Sequence, residues 1–218
     1  MPTFTPTDTA ALKAACDGFA AETLSPASIW NGSDAYGIPN DWDVAGVDNM
    51  TGVCQRTSGN DFLSDIGNWI VSGVTNMDNM FKNNASFNQD ISGWDTGKVE
   101  SMHGVFNGAT IFNQNIGGWE TSNVTTMGWM FNEATNFNQD ISGWNTGKVA
   151  SMHGMFRKAK AFDQDIPTDL TSSPTKWHVS KVTNMELMFQ SAAVFDGKLT
   201  DWDTSSLTGS LYEMFGYA

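Results

Sequence analysis

Apolar side chains recur along this chain with a period of 25 residues. Residues 91–165 read ISGWDTGKVESMHGVFNGATIFNQN, IGGWETSNVTTMGWMFNEATNFNQD and ISGWNTGKVASMHGMFRKAKAFDQD, three copies of one unit laid end to end. Trp94, Trp119 and Trp144 hold the same place in each. So do Val99, Val124 and Val149, and Phe106, Phe131 and Phe156. Within one unit Val124, Met127, Met130, Phe131 and Ala134 follow i, i+3, i+6, i+7, i+10. At about 100° per residue these fall in an arc of roughly 120°, the apolar face of a short amphipathic helix. Phe137, Gln139 and Ile141 alternate with Asn138 and Asp140, which predicts one short strand, and Ser142-Gly143 provides the turn after it. A unit of this length buries its apolar face only by stacking on its neighbours.

The expected fold is therefore α/β: a leucine-rich-repeat-like solenoid of about seven 25-residue rungs, each a short parallel strand plus a short helix, behind an N-terminal helical cap. The cap occupies residues 1–38. Thr5-Pro6-Thr7-Asp8 has the form of a helix start, and Leu12, Cys16 and Phe19 then lie on one stripe. Ser25-Pro26, Asn31-Gly32 and Gly37-Ile38-Pro39 mark a loop into the repeats. The solenoid occupies residues 39–218, with units near 39–65, 66–90, 91–115, 116–140, 141–165, 166–198 and 199–218. The sixth carries an insertion of about eight residues around 169–174. The last ends without a polar cap, so continuation in a longer parent chain or end-to-end self-association is expected there.

The unit GW[DEN]T..V..MH..F..A..F[ND]QDI resembles the 25–26-residue repeat of bacterial surface lipoproteins. It is similar also to the BspA-like leucine-rich repeats of surface and secreted proteins in bacteria and protists. The likeness covers residues 42–215. It implies an exported, surface-associated protein with an adhesive or protein-binding role. It transfers no catalytic residue, because the recurring positions are structural.

Composition narrows the function classes. The formal charge of −13 argues against nucleic acid, which requires clustered Lys and Arg, and favours a basic partner or cations. No apolar run approaches the roughly 20 residues of a membrane span. MPTFTPTD lacks the charged and apolar regions of a signal peptide, so an extracellular or cell-surface location is expected with the leader absent from this sequence; a cytoplasmic one is the rival. The two cysteines, Cys16 and Cys54, exclude a disulfide-dense scaffold. They are either packed thiols or a bridge pinning the cap to the first rung.

Candidate chemistry is sparse. The column Trp42, Trp69, Trp94, Trp119, Trp144, Trp177 and Trp202 reads as core rather than as a platform for sugars. Trp129 falls between the apolar positions, on the outer face, and is a candidate contact residue. Asn88-Gln89-Asp90 and its counterparts form amide and acid columns, with the glutamines as a polar ladder serving backbone groups. Asp90, Asp140 and Asp165, beside Asp95 and Glu120, are the candidate partner-binding acids. Hard cations such as calcium would suit such acids, but Asn115 and Asn145 interrupt the columns. His103 and His153 are two units apart with Gly128 between, too far for one zinc ion. The column Thr96, Thr121, Thr146 and Thr204 invites comparison with ice-binding arrays, but Val71 interrupts it. No cofactor motif and no nucleophile–base arrangement is present.

These readings lead to an expected function: a non-catalytic surface or secreted recognition module binding a protein partner through one face. A basic partner belongs on the acidic strand side; Lys82, Arg157 and Lys158 mark the other. The alternatives are a structural scaffold subunit of a larger assembly, or a calcium- or carbohydrate-binding module.

Overall fold

The computed structural model describes residues 4–21, 39–57, 61–167, 177–209, 211 and 213–216. It opens with helix α1, Thr9–Ala21. Asp8 rather than Thr5 caps it, its Oδ1 accepting the Ala11 amide at 2.8 Å. Leu12, Ala15 and Cys16 face inward and are fully buried against the first coil. The Phe19 side chain, the loop ahead of Pro39 and the inserted segment after Thr168 lie outside the described residues.

From Pro39 onward the chain winds into coils, each lying on the next. Amides of one coil donate to carbonyls of its successor: Trp129, Phe131 and Glu133 reach His153, Met155 and Arg157, each at 2.8 Å. The same contacts join Asn79, Phe81 and Asn83 to His103, Val105 and Asn107. Across the longer sixth unit the register is kept, with Gly154 and Phe156 donating to Glu186 and Met188 at 2.8 Å.

The expected α/β architecture of strand-plus-helix rungs is overturned. Among the described residues α1 is the only α-helix, and there is no strand or sheet. Pairing of β type is reduced to a row of isolated parallel bridges linking Asn49, Asn76, Ser101, Thr126, Ser151 and Asn184. The stretch read as a helix buries its apolar set as the pattern requires, for Val124, Met127, Met130, Phe131 and Ala134 are all inaccessible. Its backbone, however, passes through left-handed conformations at Trp129 (φ 59°) and Glu133 (φ 60°), which no α-helix admits. The amides of Met130, Asn132 and Ala134 reach back three residues, to Met127, Trp129 and Phe131, at 3.1–3.2 Å. The amides between them reach forward to the next coil. A chain of tight turns thus reproduces helical apolar spacing without helical bonds.

The strand reading fails for a different reason. The amides of Asn113, Asn138 and Asp163 are taken by the side-chain oxygens of Asn88, Asn113 and Asn138, each at 2.9 Å. A side-chain ladder stands where a backbone ladder was expected.

Aromatic columns run through the core. Phe81, Phe106, Phe131, Phe156, Phe189 and Phe215 stack at 5.5–5.7 Å between centroids. Phe87, Phe112, Phe137, Phe162 and Phe195 stack beside them at 5.8–6.1 Å. Trp42, Trp69, Trp94 and Trp119 stack at 6.0–6.3 Å. The indole N–H groups of Trp69, Trp94, Trp119, Trp144 and Trp177 each find a carbonyl in the preceding coil, as Trp119 does on Ile91 at 3.2 Å and Trp144 on Ile116 at 3.0 Å. That bond removes the desolvation penalty of the buried donor and fixes ring orientation.

Candidate functional site

The acid column takes its form from tight turns. At each, an Asp or Asn oxygen accepts the amide two residues on: Asp65 from Gly67, Asp90 from Ser92, Asn115 from Gly117 and Asp140 from Ser142, at 2.9–3.0 Å. Asp and Asn favour such turns because the short side chain reaches its own backbone. Asp165 varies the theme, accepting the Lys198 amide at 2.8 Å while its other oxygen lies 3.5 Å from Lys198 Nζ. The amides of Ser92 and Lys198 hold the Asp90 and Asp165 carboxyls below the ordinary aspartate value, so both stay ionised.

A second row follows the tryptophans. Asp95 and Asn145 accept from Gly97 and Gly147 at 3.0 Å, and Asp203 from Ser205 at the same distance. Glu120 shares the row and is exposed; its backbone carbonyl receives the Thr96 hydroxyl at 3.0 Å. Lys98, Lys148 and Lys181 lie three residues beyond this row, all exposed. That edge is therefore mixed in charge, and the predominantly acidic surface is the row of Asp65, Asp90, Asp140 and Asp165.

Trp129 belongs to the turn chain instead. It is half-buried, with its indole edge-on to His153 at 4.7 Å and its ring over Gly154, where a Cβ would lie 2.6 Å from the ring carbons. Only glycine leaves room for that ring, and Gly154 is left-handed as well (φ 59°). His153 Nδ1 lies 3.2 Å from Asn184 Oδ1 and 3.7 Å from Glu186. His103 sits against Gly128. Among the described residues no three His, Cys, Asp or Glu side chains gather as the ligands of one metal ion would.

Other columns prove structural. Thr96, Thr121 and Thr146 are buried and donate to carbonyls of the next coil at 2.8–3.0 Å, so they form no surface array. Gln114 and Gln139 donate back to the Asn88 and Asn113 carbonyls at 2.9 Å, and Gln164 to the Asn138 side chain at 2.8 Å. On the side assigned to Arg157 and Lys158, Glu133 lies against both, at 3.9 and 2.5 Å, and offsets one of their two charges. Sequence reasoning missed that cluster. The signal was available, since Glu133 and Lys158 hold one repeat position a unit apart. It also missed Asp78, which accepts both the Ser101 hydroxyl and the His103 amide.

Coil upon coil joined by backbone bonds, with matching side chains in columns and exposed turns of Asp and Asn, defines a repeat protein. No helix among the described residues is long and apolar enough to cross a membrane. The chain belongs to the family described as "Mycoplasma protein of unknown function, DUF285", whose model matches residues 27–120, 92–175 and 167–218. No curated protein and no solved structure matches it.

Proposed function

We propose that this protein is a non-catalytic recognition module, displayed at a cell surface or secreted, that binds a basic protein partner along the row of Asp65, Asp90, Asp140 and Asp165. One observation carries this reading. Asn115 holds its turn with the same geometry as its aspartate neighbours, at 3.0 Å against 2.9 Å, so the turn needs an oxygen and not a charge. The charge is therefore not needed to form the turn, and like charges in a row cost the stack something. Each carboxylate is nevertheless held by a backbone amide with the side chain exposed, which pre-orients a line of negative charge for a partner. The likeness of the unit to BspA-like and surface-lipoprotein repeats supports the same reading.

The test replaces Asp90, Asp140 and Asp165 together by Asn. Melting should stay within a few degrees of the parent, while capture of the partner from the native source falls at least tenfold and loses its salt dependence. Undiminished capture by the triple variant would remove the acidic row from the account.

A further inference from the structure

We propose that Cys16 and Cys54 form a disulfide site that fastens α1 to the first coil, closed by exchange with an external disulfide of the glutathione type. The two sulfurs lie 3.2 Å apart, and both residues are fully buried. A disulfide bond of about 2.05 Å therefore requires the sulfurs to close by roughly 1.2 Å, within the reach of small side-chain rotations. The sequence makes room for the pair. Cys54 occupies the place that Phe81, Phe106 and Phe131 hold in later coils, and the smaller side chain admits Cys16 from the inward stripe of α1.

The surroundings mark this as a fastening point. Arg56, two residues beyond Cys54, reaches back to α1: its Nη1 lies 2.9 Å from Asp17 Oδ1, and its side chain is nearly buried. Thr9, at the start of α1, donates its hydroxyl to the Asn49 carbonyl at 2.5 Å. The Arg56 contact joins α1 to the coil beside the thiols, and the Thr9 contact joins them about two helical turns away. The bond would close a loop spanning 38 residues, long enough to restrict the unfolded chain appreciably.

Chemically, one cysteine thiolate attacks a sulfur of the external disulfide and expels one thiolate, which takes up a proton. The second cysteine thiolate then attacks the protein sulfur of the mixed disulfide and expels the other. Two protein thiols are oxidised and one external disulfide is reduced to two thiols. Burial raises Cys16 well above the ordinary thiol value, so it is protonated while α1 is docked. Exchange therefore runs through undocking of α1.

The experiment refolds the reduced full chain in mixtures of glutathione and glutathione disulfide, quenches in acid, then counts thiols under denaturing conditions. The expected product is a monomer two hydrogens lighter with no free thiol, reversed by dithiothreitol. Its melting temperature should exceed that of the reduced chain by roughly 5–10 °C. Starting from the folded reduced chain, Asp17→Asn should speed the same conversion several-fold. Two glutathione adducts per chain, linked dimers, or two free thiols at every mixture would each overturn the proposal. As a control on the chemistry, Cys54→Ser should give a single adduct and no cross-link; a two-hydrogen mass loss in that variant would also overturn it.

Discussion

The coils between residues 91 and 165 differ from the first coil under its cap in how completely they satisfy themselves. In the central units most interior positions repeat, so a buried donor meets a backbone carbonyl at the same place one turn away. Trp119 and Trp144 show this with their indole bonds, and Thr96, Thr121 and Thr146 with their hydroxyls. At the first coil the repeat is broken by Cys54 and Arg56, and at the second by Asn84 in the slot of Ala109, Ala134 and Ala159. Among the described residues the two buried side-chain polar atoms without a partner, Arg56 Nε and Asn84 Oδ1, both lie there. A stack is most stable where it is most monotonous. The end that meets a cap gives up some of that economy to join something different.

The largest loss of stability is expected at the centre of the stack. Trp119→Ala should cost about 3–5 kcal/mol, measured by chemical denaturation, since it removes a stacked, buried indole and one of the two hydrogen bonds on the Ile91 carbonyl. Next come two reciprocal exchanges in one column. Ala134→Asn should cost about 2–4 kcal/mol, because it forces a larger, polar side chain into an interior packed around a methyl group. Asn84→Ala should cost under about 1 kcal/mol, because it removes the unpaired Oδ1 while giving up bonds of 3.1 and 3.4 Å. Equal costs for the two would erase the difference between the regions.

A smaller effect probes the turn chain. Gly154→Ala should cost about 2 kcal/mol, for the left-handed backbone and the approach to Trp129 together. In a Trp129→Gly background the cost should fall to about 1 kcal/mol, because the ring is gone and the strain remains. Gly93→Ala, with open space around its Cβ and ordinary backbone, should change the melting curve little.

The smallest effect is that of pH. Asp90, Asp165 and Asp203 are depressed in the folded chain, so the unfolded chain binds more protons in acid. Their contribution is present above the ordinary aspartate value of 3.8 and is lost as pH falls through the lower folded values. Melting temperature should decline below about pH 4, less steeply in Asp90→Asn/Asp203→Asn, as a melting series in acid will show.

The interior was legible in the sequence because a period of 25 assigns each Trp, Phe, Val and Met to a column whatever backbone carries it. The backbone was not. Spacings of three and four suit both an amphipathic helix and a chain of three-residue turns. Trp129, Glu133, Lys158 and Leu187 stand at left-handed positions that their side chains do not advertise. The hint lay in their column mates, Asn79, Gly104 and Gly154, and Asn83 and Gly108, because Gly and Asn recurring twice in a supposed helix mark left-handed turns. The acid row was legible as a row. Its turn-holding role was not, because Asn115 breaks the run of charge while serving the turn as an equivalent. The pairing of Arg56 with Asp17 falls outside the repeat, where no periodic signal reaches.

The central claim is that the turn chain of each coil bonds to its neighbour and not to itself in helical fashion. Through-hydrogen-bond scalar coupling between amide nitrogens and carbonyl carbons, recorded on the deuterated chain, tests it at Phe131. The expected cross-peak joins the Phe131 amide to the Met155 carbonyl, across a contact of 2.8 Å. A cross-peak to the carbonyl of Met127, four residues back, would contradict the account.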